Sequence, residues 1–396
     1  MNVLFVSNGE AEDAIALSLI RYWLYFREED RVAALAIAGT GKQYLANDIP
    51  LISQPMQMPS NGFAYQNWRL LYQDFEAGLF SHIRRQYKSL KKLSNQIDYI
   101  VGVGDIVPVI ASRILKKPSS FVGCAMSDYY INPQKSTTSS YSGLKRSFLK
   151  NMNTLVFPRD LLTTNNLIRL GVRAEYLGNP MLDCIQYNKN LDLKLNPENH
   201  IIAILPGSHD DARNNFRIIM SLVEKMKFDK PLIFLVAVAD KEDIPRYGKD
   251  LSKSNWFIQK SSPRHTVWKN NKDQLHLLSG YFGNILMTSH AVIGTSGTGN
   301  EQAAGIGIPV ISFPCGSIQY TKRFGEAQKR LLGKSLSYIN NSSPSSDLLL
   351  KHLNIALTNT QYREQVKNNA IERFGDFGAS ERIVSRIVQT LSPQIN

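Results

Sequence analysis

The first half of the chain alternates between short, continuously apolar runs and stretches with helical period. Residues 3–6, 32–38, 99–103, 121–125, 155–157 and 176–177 read as buried strands. After the first of them, Ile15, Leu19, Ile20 and Trp23 recur near i, i+4, i+5 and i+8, which is one face of a helix. Continuous apolar strands separated by helices predict a parallel sheet covered on both faces. Residues 185–200 interrupt the pattern with polar, turn-prone segments, Tyr187-Asn188-Lys189-Asn190 and Asn196-Pro197-Glu198-Asn199. The alternation restarts at 201–205 and continues through 232–239, 256–258, 291–293 and 310–313. The pattern therefore predicts the α/β class: two doubly wound domains over 1–184 and 200–374, a linker at 185–199, and a closing segment 375–396. A helix in that last segment carries Ile383, Ile387 and Leu391 on one face.

Length agrees with two domains, since the chain has 396 residues. Hydrophobic residues make up 43% and charged residues 20%, enough apolar content for real cores. The start lacks a basic region and soon turns acidic at Glu10, Glu12 and Asp13, unlike a signal peptide. No apolar run approaches the ~18 residues of a membrane span. The three cysteines, Cys124, Cys184 and Cys315, are far apart and fit a reduced, cytoplasmic setting. No His/Cys cluster has zinc-like spacing, and no metal is expected. Walker, GxSxG and first-strand GxGxxG motifs are missing.

In open α/β sheets ligands bind beyond the carboxyl ends of the strands, so the loops there are the candidates. The most informative is Gly294-Thr295-Ser296-Gly297-Thr298-Gly299-Asn300-Glu301-Gln302, placed where a strand hands over to a helix. Unpaired N–H groups and the helix dipole attract a diphosphate, and glycines let it approach the backbone. Glu301, in the first turn, is suited to ribose hydroxyls. The structural alternative is a Gly-rich turn with a capping glutamate. A second loop, Leu205-Pro206-Gly207-Ser208-His209, offers backbone N–H groups and a hydroxyl, with His209 or Arg213 as the cation. In the first domain, Ser7-Asn8-Gly9 with Glu12 and Asp13 follows the first strand and is a candidate acceptor loop or base. Helix capping is the alternative. Gly102-Val103-Gly104-Asp105 ends another strand; burial there would raise the Asp105 pKa and suit it to proton abstraction. N-capping of the helix that contains Pro108 competes with that role. The segment from Gln319 to Arg330 offers polar groups beside the Gly-rich loop, or is simply an exposed basic helix.

Net charge is +13, which admits anionic membrane, nucleic acid or phosphorylated substrates as partners. Aromatics Phe63, Tyr65, Trp68, Tyr72, Phe75, Phe80 and Tyr87 interleave with Arg69, Arg84, Arg85, Lys88, Lys91 and Lys92. Lys135, Lys145, Arg146 and Lys150 add charge without acids. Segments 63–92 and 135–150 suit the headgroup zone of an anionic membrane, a single-stranded nucleic acid, or an ordinary core with a solvated face.

Together these motifs resemble the lipid-A-disaccharide synthase family, in particular its divergent synthase-related branch. The resemblance spans nearly the whole chain. It rests on Ser7-Asn8-Gly9 with Glu12-Asp13, Gly178-Asn179-Pro180-Met181-Leu182-Asp183, Leu205-Pro206-Gly207-Ser208, Gly294 to Gln302 with Gly307-Ile308-Pro309-Val310, and Phe324-Gly325-Glu326-Ala327-Gln328. It implies a GT-B architecture, two Rossmann-like domains facing across a cleft, with the last helix returning to the first domain. It implies inverting transfer from a UDP-sugar to a lipid or lipid-like acceptor, with no cofactor or metal. The enzyme would sit peripherally on the inner face of the cytoplasmic membrane. Asp105, Glu12 and Asp13 would be catalytic and Ser7, Asn8 and Gly9 would bind the acceptor. Gly207, Ser208, His209, Arg213 and the 294–302 loop would hold the nucleotide sugar. Two departures are evident: His209 stands where the synthases have Arg, and the first loop lacks Ala-Gly-Glu-x-Ser-Gly-Asp. No nucleic-acid partner is expected. The alternatives are a UDP-sugar 2-epimerase of the same fold and a non-catalytic nucleotide-sugar- or RNA-binding protein.

Overall fold

A computed structural model describes residues 1–53, 79–131, 139–150, 155–317, 320–341 and 344–391. It contains two compact units, one formed by Met1–Cys184 with Phe374–Asn396 and the other by Ile185–Arg373.

In the first unit, strands β1 (Asn2–Ser7), β2 (Arg31–Ala36), β3 (Tyr99–Val103), β4 (Ser119–Gly123) and β5 (Leu155–Pro158) form one sheet in the order β2-β1-β3-β4-β5. Every neighbouring pair is parallel. Parallel strands need crossovers. These include α1 (Glu10–Phe26), α2 (Lys42–Leu45), α3 (Leu79–Leu93), α4 (Val107–Leu115), α5 (Gly143–Lys150) and α6 (Leu161–Arg169). Leu4, Val6 and Ile100 pack with Leu90 and Leu115 in one core, while Phe121, Val156 and Leu167 belong to another. Strand order reverses between β1 and β3. The loops after these two strands therefore leave toward opposite faces and open a crevice between them.

The second unit repeats the device. Its elements are β6 (His200–Leu205), α7 (Ala212–Val223), β7 (Leu232–Ala237), α8 (Ile244–Leu251), β8 (Phe257–Ser262), β9 (His265–Lys269), β10 (Gln274–Leu278), α9 (Phe282–Thr288), β11 (Ala291–Gly294), α10 (Thr298–Gly305), β12 (Val310–Ser312), α11 (Lys322–Leu332), β13 (Leu336–Tyr338), α12 (Ser346–Thr358) and α13 (Thr360–Phe374). The sheet order is β13-β12-β11-β6-β7-β10-β9-β8, with the reversal between β6 and β11. Ile204, Phe234, Val236, Leu277 and Ile293 are fully buried at its centre. Of residues 256–258, expected as another buried parallel strand, Trp256 is buried in the core before any strand begins, while Phe257 and Ile258 open an antiparallel hairpin, β8–β9, that also pairs antiparallel to β10. Only Pro263 and Arg264 separate β8 from β9, far too few residues for a crossover. Every residue of β8 is exposed.

Residues 185–199, expected as a linker, pack on the second unit. Asn188 N–H donates to Asn284 Oδ1 at 3.0 Å and Asn284 Nδ2 returns a bond to Asn188 O at 2.8 Å. The strand expected at 176–177 does not form. Ala174 makes an isolated bridge to Val156, and the chain then turns at Gly178, whose φ is +101°. The last helix, α14 (Ala379–Leu391), packs on α1 of the first unit and buries Ile383, Val384 and Ile387. Ser18 Oγ donates to Ser380 Oγ at 2.9 Å, and Arg386 pairs with Glu175 at 2.8 Å. Asp183 accepts from Gly378 N–H and Ser380 N–H, both at 2.6 Å, so its carboxylate caps α14. Asp183→Ala should lower the stability of the first unit by about 1–3 kcal/mol. Denaturant unfolding combined with amide exchange in α14 checks this; unchanged α14 protection would show that the cap is dispensable.

Candidate functional site

In the second unit the strand reversal brings the loops after β6 and β11 together. Thr295 N–H donates to Leu205 O at 2.9 Å, and Thr295 Oγ1 donates to Pro206 O at 3.1 Å. A cavity of about 330 Å³ opens between them, walled by Gly207 and Ser208 on one side and by Ser296, Thr298, Gly299 and Gln302 on the other. Ala237, Val238 and Ala239 after β7, with Leu278, Gly280 and Phe282 around the end of β10, extend it with an apolar wall. Gly207 has φ +110°, a backbone state that a side chain would strain. The start of α10 adds the positive end of a helix dipole.

Not every expected residue reaches this cavity. Gly294 and Asn300 are buried, and a Cβ at Gly294 would collide with Asn300 Oδ1, so this glycine serves internal packing. Thr295 is spent on the loop-to-loop bonds, and Gly297 is the N-cap of α10. Glu301 is buried at 7% exposure, already engaged within the protein, and outside the lining. His209 is exposed and does not border the cavity. Arg213, the expected substitute cation, is taken by Asp250 through bonds of 2.7 and 2.9 Å. Among the described residues, the lining thus contains no charged side chain. Arg264, in the β8–β9 turn, lies against lining residue Gly280: a Cβ there would stand 2.7 Å from its Nη1. Pattern reasoning missed Arg264 because it placed no hairpin there. It missed Gly280 and Phe282 because β10 went unrecognised. A second cavity of about 330 Å³, beside α7 and α8, is walled by the Arg217–Asp250 pair and lies away from the strand ends.

In the first unit the reversal brings Asn8 to Asp105: Asn8 Nδ2 donates to Asp105 Oδ1 at 3.2 Å. Val107 N–H donates to the same oxygen at 2.9 Å, so Asp105 also caps the start of α4. Burial pushes the Asp105 pKa up; the Val107 and Asn8 bonds and the Lys145 ammonium oppose the rise. Lys145 Nζ otherwise contacts the Met126 thioether at 3.5 Å. Glu12 is buried against Gly104, where a Cβ would stand 2.9 Å from its Cγ; with φ +125° that site admits glycine alone. Ser7 and Asp13, expected at an acceptor and as a base, are sealed inside. Ser7 Oγ donates to Asp13 Oδ1 at 2.6 Å and shares a 2.7 Å bond with Tyr44, and all three side chains are buried. Burial raises the Asp13 pKa to about 6, against the bonds from Ser7 and the Gly41 backbone. Gly9 is the N-cap of α1.

A further polar cluster went unforeseen. Asp128 accepts from Ser139 Oγ, Ser140 N–H and Oγ, and Asn166 Nδ2, while Asp160 caps α6 through Thr163 N–H at 2.7 Å. Of the expected membrane-facing segments, residues 63–78 and 132–138, Lys135 included, lie outside the described residues, as does Gln319. Arg84, Arg85, Lys88, Lys91, Lys92 and Lys150 are exposed, and Lys145 and Arg146 half-buried. Among the described residues, no helix is long and apolar enough to cross a membrane, and no group of three or more His, Cys, Asp or Glu could hold a metal.

No family profile matches the chain, and no curated protein matches it in sequence. Solved structures do. MurG from Acinetobacter baumannii is 13% identical, with 98% of this chain and 99% of that one covered and a TM-score of 0.60. CalG4, the calicheamicin glycosyltransferase, is 12% identical, with 99% of each chain covered and a TM-score of 0.62. A UDP-N-acetylglucosamine 2-epimerase is 16% identical, with 100% and 97% covered and a TM-score of 0.57. At these identities the likeness establishes the fold: two Rossmann-like α/β domains with parallel sheets, as in GT-B enzymes. It does not single out the lipid-A-disaccharide synthases.

The sealed Asp13 gives a signed pH dependence. Below about 3.8 both folded and unfolded chains hold the proton; between 3.8 and about 6 only the folded chain does. Stability from this group therefore falls as pH rises through that window and levels off above it, by up to ~3 kcal/mol. Asp13→Asn should remove that loss, so its stability relative to the native chain should climb between pH 4 and 6. Urea titrations of both proteins at pH 4, 5, 6 and 7 measure it; a pH-independent difference would refute the raised pKa.

Proposed function

We propose that this protein transfers a sugar from a UDP-sugar to an acceptor hydroxyl. The second unit holds the donor and the first supplies the base. The carrying observation is the cavity at the β6/β11 reversal, where Gly207 and Ser208 meet Ser296, Thr298 and Gly299 at a helix start. Backbone N–H groups and hydroxyls at such a position suit a diphosphate. The apolar wall at Ala237–Ala239 and Phe282 suits a planar base. Arg264 provides the cation that His209 and Arg213 do not.

In this reading Asp105, held by Asn8 and raised by burial, takes the proton of the acceptor hydroxyl. The acceptor oxygen then attacks the anomeric carbon from the face opposite the diphosphate, with inversion. The bond from that carbon to the diphosphate oxygen breaks, and the α10 helix start stabilises the charge on departing UDP. No step passes through a metal. Glu12 is buried against Gly104, the residue before Asp105; Ser7 and Asp13 shape the loop from inside. A lipid-like acceptor fits the exposed basic residues of α3 and α5, and extends the reading to peripheral binding at the inner face of the cytoplasmic membrane. The sequence resemblance to lipid-A-disaccharide synthases favours an N-acetylglucosamine-type or acylated glucosamine donor.

The fold shared with a UDP-N-acetylglucosamine 2-epimerase supports a second reading, epimerisation of the UDP-sugar without any acceptor. Incubation with UDP-N-acetylglucosamine alone separates the two: a transferase leaves the sugar configuration unchanged, whereas an epimerase yields the 2-epimer.

UDP at about 100 times its dissociation constant should add ~2.7 kcal/mol of stability, read as a rise in Tm. No shift with any uridine nucleotide would sink the donor-site reading. Once a donor and acceptor are known, Asp105→Asn should slow turnover about 10²- to 10⁴-fold with donor affinity intact. Near-normal turnover would move the base elsewhere.

A further inference from the structure

One buried side chain braces the loop that carries Ser296 to Gly299 from behind, beside the Glu301 N–H bond to Gly297 O at 3.3 Å. Gln328, on α11, is fully buried and its Nε2 donates to Gly297 O at 2.9 Å and Ser296 O at 3.3 Å. Its Oε1 accepts from Asn300 Nδ2 at 3.0 Å and from the Tyr320 hydroxyl at 2.7 Å. Asn300 Nδ2 also donates to Gly294 O at 3.1 Å, and Ser312 Oγ donates to Tyr320 at 2.7 Å. One amide thus holds both ends of the turn: the carbonyls before α10 and, through Asn300, the end of β11.

We propose that Gln328 is a positioning residue for the diphosphate of the donor, an inference that rests on the UDP-sugar reading of this cavity. Two carbonyls of the turn are drawn toward Gln328, and a peptide whose C=O points one way presents its N–H the other way. With the carbonyls of Ser296 and Gly297 pinned inward, the N–H groups of Gly297 and Thr298 turn away from α11. Ser296 and Thr298 both border the cavity. The arrangement is preorganised: no water or ligand has to enter to satisfy those carbonyls, so the N–H groups keep their direction in the empty site. Gln328 touches no ligand itself and lies outside the lining. Tyr320 sets the rotamer of the amide, because a hydroxyl donor fixes which side of Gln328 is oxygen.

The experiment compares the intact protein with Gln328→Met, which keeps the length but loses the donor, with Gln328→Glu, which sets a carboxylate against two carbonyls, and with Tyr320→Phe. UDP affinity is measured by titration calorimetry and amide exchange by mass spectrometry. The expected result is an affinity loss of about ten-fold or more for both Gln328 variants and a smaller loss for Tyr320→Phe. Exchange should accelerate at 297–302 while β6 and β7 stay protected. Equal UDP affinity in Gln328→Met and the native chain would overturn the proposal. So would acceleration spread evenly over the second unit, which marks a general core residue. If the native chain binds no UDP, the donor reading fails, and the exchange pattern still decides whether Gln328 holds the turn.

Discussion

Both candidate sites depend on one constraint: among the parallel strands of each sheet the order reverses once. Between β1 and β3, and again between β6 and β11, successive crossovers run to opposite sides. The two loops at each reversal therefore have no helix between them. That gap brings Asn8 to Asp105 in one unit and Gly207 to Ser296 in the other, although the partners are about a hundred residues apart in the first case. Without the reversal each loop would be an ordinary strand-to-helix turn. The capping duties of Asp105 and Gly297 show that these loops still meet the needs of such turns.

A loop placed at a gap must also be held there, and the chain does this with buried amides and hydroxyls. Thr295 ties the two loops at the β6/β11 reversal together, Asn300 closes the turn on Gly294, and Gln328 closes it on Ser296 and Gly297. Buried carbonyls left unpaired would each cost about 1–3 kcal/mol, so this network decides the loop's conformation. The glycines acquire a different meaning in this light. Gly294 leaves room for Asn300, and at the cavity Gly207 and Gly280 have the positive-φ backbone that favours glycine. Likewise Gly178 and Asp183 of another motif serve to seat α14 on α1.

The acidic residues near the first reversal divide by burial. Asp13 is locked to Ser7 and Tyr44, Glu12 is packed on Gly104, and Asp105 is half-buried with Lys145 in electrostatic range. Three carboxylates of similar intrinsic acidity thus have unequal access to a substrate. The least buried of them is Asp105, whose pKa burial also raises. Asp13, with a pKa near 6, destabilises the fold at neutral pH by up to ~3 kcal/mol while holding the loop through Ser7.

The sequence by itself determined the fold class, because continuous apolar strands between amphipathic helices are buried on both faces only in a parallel sheet. It also located the loops, since turn residues and glycines at strand ends are local signals. Gly207, Ser208, Ser296, Thr298, Gly299 and Gln302 were legible in this way, and so was Asp105. The tertiary structure alone decided which of the flagged residues face a cavity. Glu301 looks suited to a ribose, Ser7 to an acceptor and Asp13 to proton transfer in one dimension, and all three are buried in three. Arg213 looks free and is held by Asp250. The apolar run at 256–258 marked a strand, but nothing in it showed that β8 is exposed and turns straight back as an antiparallel hairpin. Arg264 and the wall after β10 were hidden with it. The sequence put Gln328 in a polar segment beside the Gly-rich loop or on an exposed basic helix, but not which of those polar groups is buried, because a buried hydrogen bond has no sequence period. Periodicity reports which face of an element is apolar; partner choice among polar groups depends on distances that only packing of the whole unit sets.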